Sequence, residues 1–118
     1  MSKLPKIRPT INSRAKGAAG EREFAQVLKA AGWEARRGQQ FAGGGDSPDV
    51  VTDVPGVHFE VKRVDGGFAP YKWMKQAARD AAGKKTPVVA HRKNREDWLV
   101  ILRVEDFLDL MLYKSLSD

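Results

Sequence analysis

The segment Val57-His58-Phe59-Glu60-Val61-Lys62 alternates apolar and polar residues, and with Asp49-Val50-Val51 just upstream it decides the fold. Side chains on a strand point alternately to its two faces. Val57, Phe59 and Val61 therefore share one face, and His58, Glu60 and Lys62 share the other. Glu60 and Lys62, two residues apart on the same face, stand roughly 7 Å apart. If Asp49 lies on the neighbouring strand, two carboxylates and an ammonium converge. Such a set suits a hard divalent cation and the anion it activates.

Helical spacing runs upstream of this segment, from about Arg14 to Ala31, with Phe24, Val27, Leu28 and Ala31 on one stripe and Gly32 as the stop. Glu21 falls at the edge of that stripe, and Glu23 points elsewhere. Trp33 to Arg37 is a short strand. Residues 38–48 form a glycine-rich loop with no Gly-Lys-Ser or Gly-Lys-Thr, which excludes a P-loop. Asp49 to Thr52 and Val57 to Arg63 are strands joined by the turn Val54-Pro55-Gly56. Pro70 opens a second helix with Met74, Ala77, Ala78 and Ala81 as its apolar stripe and Gly83 at its end. Two strands, near Thr86 to Arg92 and Trp98 to Leu102, flank the polar link Lys93-Asn94-Arg95-Glu96 and form a hairpin. A last helix, about Val104 to Tyr113, is rich in Phe107, Leu108, Met111 and Leu112. The order is helix, three strands, helix, two strands, helix, an α/β arrangement.

With 118 residues and a hydrophobic fraction of 42%, the chain suits one domain with a modest core. We expect a flexible basic arm over residues 1–13 and a single domain over 14–118. There is no cysteine, which excludes disulfides, zinc–thiolate sites and a thiol nucleophile. No apolar run reaches the length of about 18 residues that spans a membrane. The N-terminal residues lack the apolar core of a signal peptide, so a cytoplasmic location is expected.

The net charge of +6 is unevenly spread. Residues 1–16 carry Lys3, Lys6, Arg8, Arg14 and Lys16 and no acid. Residues 62–95 are strongly basic, with Asp65 and Asp80 as their acids, and residues 96–118 are mostly acidic. One pole of such a molecule fits a polyanion, and nucleic-acid phosphate is the natural one. The residues expected to contact it are Arg14, Lys16, Ser47, Arg63, Lys72, Lys75, Gln76 and Arg79.

Phosphodiester hydrolysis needs an activated water and stabilisation of charge on the phosphoryl oxygens, and a bound Mg2+ can supply both. Magnesium takes oxygen ligands and keeps several waters, so two or three carboxylates suffice. Asp49 and Glu60 would be direct ligands, with the Val61 carbonyl as a third. Lys62 would stand by the attacking water and the scissile phosphate. Glu21, from the first helix, could bind the metal through water or hold a second ion. Mn2+ is expected to substitute, and no organic cofactor is called for.

Ser47-Pro48-Asp49 followed by Glu60-Val61-Lys62 resembles the signature of the PD-(D/E)XK nuclease superfamily, and the αβββαβ order resembles its restriction-endonuclease-like core, a central mixed sheet flanked by helices. Lys16-Gly17-Ala18-Ala19-Gly20-Glu21-Arg22-Glu23-Phe24 is similar to the opening of archaeal-type Holliday junction resolvases, a type that also occurs in phages. The resemblance covers roughly residues 14–103. It implies Glu21 as the first catalytic acid, Asp49 and Glu60 as metal ligands and Lys62 as the catalytic lysine. It also implies a homodimer cutting two opposed strands of a four-way DNA junction. The glycine-rich loop is longer than in compact archaeal relatives, and the acidic C-terminal helix lies outside the shared motif. Two alternatives remain: a phage or repair nuclease for flapped, nicked or duplex DNA, and a non-catalytic DNA-binding protein. The pairing surface would be Trp73 and Met74, or Phe107, Leu110 and Met111.

Overall fold

The computed structural model describes residues 13–38 and 49–117. Residues 1–12 of the expected 1–13 arm, loop residues 39–48 and the Ser47 contact lie outside the described residues, as does the side chain of Arg14, while Ser13 is already helical. The elements are α1 (Ser13–Ala30), β1 (Ala35–Arg37), β2 (Val50–Thr52), β3 (Val57–Arg63), α2 (Pro70–Ala81), β4 (Thr86–Arg92), β5 (Leu99–Ile101) and α3 (Val104–Ser117). This is the expected α/β order. Among the described residues, no helix is long and apolar enough to cross a membrane.

β3 and β4 pair in parallel over their full length, from Val57 opposite Thr86 to Arg63 opposite Arg92. α2 makes the crossover that a parallel pair requires. β5 returns antiparallel, with Val89 opposite Ile101 and His91 opposite Leu99, and completes a mixed three-stranded sheet. The alternation expected for β3 holds, because a helix covers each face. Phe59 and Val61, with Val88 and Ala90 beside them, pack against Phe24, Ala25 and Leu28 of α1. Val89, on the other face, packs with Trp73 and Ala77 of α2. The Phe24 ring meets Phe59 edge-on at 5.1 Å and Trp98 at 5.0 Å. Truncating such a buried ring to alanine typically costs about 3–5 kcal/mol.

Three local expectations are corrected. β2 forms no ladder with β3. It pairs antiparallel with β1, Ala35 opposite Thr52, as a separate two-stranded sheet. The α1 stripe is also rotated: Val27 is 41% exposed and Ala31 is exposed, while Gly20, Glu21, Phe24, Ala25 and Leu28 are buried. Gly20 explains the rotation, since a Cβ built there would lie 2.4 Å from Arg63 Cβ, and only hydrogen fits so close to β3. Finally, Trp73 is unsuited to a pairing surface. It is 7% exposed and its ring lies 5.5 Å from Phe68 and 5.1 Å from His91.

The helix ends follow local chemistry. Pro70 sits in the first turn of α2, where its missing N–H costs nothing. The last turn closes on Ala82 in the left-handed region at φ 53°, one residue before the expected Gly83. α3 differs from the other helices: none of its described residues is buried, and Phe107, Leu108, Leu110, Leu112 and Leu116 are all exposed.

Candidate active site

Asp49 stands one residue before β2, and its Oδ2 accepts a 2.8 Å hydrogen bond from the Val61 N–H of β3. A side chain thus bridges the two sheets where no backbone ladder does. The N–H and C=O of one strand residue point to the same side. The Val61 carbonyl therefore also faces the Asp49 edge, as a third oxygen ligand would need. Glu60 lies on the opposite face of β3 from Val61, is 4% exposed, and has Oε2 3.5 Å from Lys62 Nζ. Lys62 Nζ also donates to Gln76 Oε1 of α2 at 3.1 Å. Glu21 reaches the site from α1, with Oε1 accepting a 2.9 Å hydrogen bond from Arg37 Nε of β1.

The carboxylates resist ionising together. Burial pushes Glu60 from an ordinary 4.5 up to about 7, and Asp49 and Asp80 add repulsion against which Lys62 works. Asp49 is raised by burial, which the Val61 N–H and Lys62 only partly offset. Glu21 is raised by burial and by Asp49, against the hydrogen bond from Arg37. Buried, mutually repelling carboxylates beside one lysine match the donor set a hard divalent cation takes. Asp49, Glu60 and the Val61 carbonyl are the groups that would hold it.

The other expected contacts divide. Lys72, Lys75, Gln76 and Arg79 line one surface cleft of about 390 Å³, which meets Lys62 through the Lys62–Gln76 bond. Lys16 lies 3.6 Å from Asp65. Arg63 lies 3.6 Å from both Glu23 and Asp65 and donates to Asn94 Oδ1 at 2.9 Å. Its guanidinium serves the α1–β3 junction rather than an open surface. Glu23, expected to point elsewhere, joins that junction through Arg63 and Arg92. A larger cavity of about 640 Å³, lined by Lys29, Trp33, Arg36 and Asp53 among others, contains none of the four expected catalytic residues.

Three polar neighbours join the four expected residues. Arg37 orients Glu21, and His58 and Asp80 stand beside Glu60. The placement of His58 on the Glu60 face was legible in the strand alternation. Asp80 left one signal, an acid within a basic helix, one turn after Gln76.

A family model described as "Phage putative PDDEXK endonuclease" matches residues 12–117. No curated protein matches the chain. Among solved structures, the chain is similar in fold to Hjc of Archaeoglobus fulgidus, a Holliday junction resolvase from an archaeal hyperthermophile. The TM-score is 0.54 at 22% identity, over 71% of this chain and 74% of that one.

Proposed function

The chain belongs to the family of phage PDDEXK endonucleases, and on that premise we propose that it is a magnesium-dependent DNA endonuclease that resolves four-way junctions as a homodimer. One observation carries the catalytic part: Asp49 is fixed on the Val61 N–H beside the Glu60–Lys62 pair. A divalent cation bound there would offset phosphoryl charge and ease deprotonation of water. Asp49, Glu60 and the Val61 carbonyl would hold it. Lys62, steadied by Gln76, stands next to them as the donor that positions the attacking water or meets charge on the scissile phosphate. Water's oxygen forms a bond to phosphorus, the bond to the leaving nucleotide oxygen breaks, and that oxygen takes up a proton. Glu21, held by Arg37, keeps a further carboxylate near Asp49. Lys72, Lys75 and Arg79 take phosphates along the adjoining cleft. Mn2+ substitutes for Mg2+.

The junction preference is supported by the fold shared with the archaeal resolvase. The dimer is supported by α3. A 14-residue helix gains little stability alone in water, and this one leaves Phe107, Leu110 and Met111 uncovered. Its first turn is acidic and its last carries Lys114, so antiparallel pairing about a two-fold axis brings opposite charges together. Two sites on two opposed strands follow.

The test is cleavage of labelled four-way junction, flap, fork and linear duplex in Mg2+ by wild type and Glu60→Gln. Preference for the junction, with cleavage lost in the variant, is expected. Preference for flap or duplex would overturn the junction assignment, and no metal-dependent cleavage of any DNA would overturn the nuclease. Light scattering should give about twice the 13.1 kDa chain mass, and Leu110→Asp should halve it. A wild-type monomer would overturn the dimer.

A further inference from the structure

Asp80, one turn beyond Gln76 on α2, returns to β3 beside Glu60. A carboxylate oxygen of Asp80, a carboxylate oxygen of Glu60 and a ring nitrogen of His58 all lie within 4.8 Å of one another. His58 is 8% exposed, and its Nε2 is buried with no hydrogen-bond partner among the described residues. Leaving such a group unpaired costs on the order of 1–3 kcal/mol, so its persistence calls for an explanation. A ring nitrogen of the same imidazole stands within 4.8 Å of two carboxylates that already repel each other.

We propose that His58, Glu60 and Asp80 form a second divalent-cation site on the α2 side of β3, selective for a transition ion such as Mn2+ over Mg2+. Its ligands are one imidazole nitrogen and two carboxylates. Mg2+ prefers oxygen alone in a near-regular octahedron. Imidazole suits the first-row transition ions, whose affinity for mixed nitrogen and oxygen donors exceeds that of Mg2+. A cation here would engage the imidazole and offset the repulsion between Glu60 and Asp80. The site differs from the magnesium position of the nuclease reading in its ligands, His58 and Asp80 standing where that position uses Asp49 and the Val61 carbonyl. It rests on that reading only through Glu60, the one carboxylate the two share. Glu60 would bridge the two ions, so filling the second site would fix the orientation of a ligand of the first.

The test uses full-length, untagged, metal-free protein titrated with Mn2+ in saturating Mg2+. Free Mn2+ is counted by room-temperature EPR, and bound Mn2+ is examined by pulsed EPR for coupling to a histidine nitrogen. The chain has two histidines, and His91 is engaged elsewhere, its Nε2 3.2 Å from the Val64 carbonyl oxygen. One Mn2+ per chain should persist in excess Mg2+ and show nitrogen coupling. His58→Gln should abolish the coupling, and Asp80→Asn should weaken Mn2+ binding at least about tenfold, on the scale of disrupted metal sites. His91→Gln should keep both. If His58→Gln does not fold, Asp80→Asn decides alone. Asp49→Asn, which removes a ligand of the magnesium position and none of the second site, should lose cleavage and keep the coupling, so failure of the nuclease reading is separable from failure of this one. Wild-type Mn2+ without nitrogen coupling, coupling that survives His58→Gln, or undiminished affinity in Asp80→Asn would overturn the second site.

Discussion

Replacing Glu60 by glutamine should make the metal-free protein more stable at alkaline pH and change little at acidic pH. The reason is the proton that burial and Asp49 force onto Glu60, whose pKa stands at about 7 in place of 4.5. Below about pH 4.5 the carboxyl is protonated in both folded and unfolded chains and contributes no pH dependence. Between about 4.5 and 7 the unfolded chain ionises first, so it binds fewer protons than the fold and stability falls as pH rises. Above about 7 the whole difference is lost, about 3 kcal/mol at 1.36 kcal/mol per pKa step. Glutamine keeps the shape without the charge and escapes this loss. For a domain of this size that corresponds to roughly 10 °C in Tm. Urea melts of wild type and Glu60→Gln in chelator, at about pH 4.5 and about pH 8.5, read it directly. Glu21 and Asp49, also raised, are present in both proteins, so the difference reads Glu60 together with its repulsion of Asp49. Mg2+ should restore wild type and leave the variant unchanged, and calorimetry at about pH 6 should find roughly one proton released per ion bound. A wild type as stable as Glu60→Gln at about pH 8.5 without metal would refute the reasoning.

Lys62→Ala should slow cleavage roughly 100-fold or more at saturating DNA, and Lys62→Arg should restore only part, because a planar fork does not replace a compact ammonium. A loss confined to KM would make Lys62 a phosphate anchor. Asp49→Asn and Asp49→Ala should both abolish cleavage, yet only alanine removes the acceptor for the Val61 N–H, so only alanine should lower unfolding free energy, by about 1–3 kcal/mol. Gly20→Ala should cost about 1–3 kcal/mol in denaturant melts, since its Cβ would lie 2.4 Å from Arg63 Cβ, and should lower turnover by shifting Glu21. Gly17→Ala meets nothing within 4 Å and should stabilise α1 by about 0.5–1 kcal/mol.

The element order was legible because each element carries its own period. The alternation of β3, the stop at Gly32 and Pro70 at the start of α2 are local signals. What could not be read depended on contacts between distant segments. The face that α1 buries is set by Gly20 against Arg63, 43 positions away in sequence. The partner of β2 is β1 rather than the strand that follows it, a choice no short window encodes. Trp73 and Phe107 are both aromatic residues on helices, yet one is core and the other surface, because α2 lies on the sheet and α3 does not. For the candidate site, Asp49, Glu60 and Lys62 were visible as a motif with a fixed spacing. Asp80 and Arg37 were not, since only the fold brings them to Glu60 and Glu21.

The bond from the Val61 amide to Asp49 has a consequence for observing the protein without substrate. That amide proton is held by a side chain, whereas its neighbours in β3 can draw on the β4 ladder. Its hydrogen–deuterium exchange therefore follows the placement of the Asp49 carboxylate more than the integrity of the sheet. In a two-dimensional amide spectrum the Val61 cross-peak becomes an internal gauge. Ion binding, a substitution at Asp49 or movement of the β1–β2 pair would each register there as a change in exchange rate or chemical shift, while the amides of Glu60 and Lys62, which face β4, stay protected.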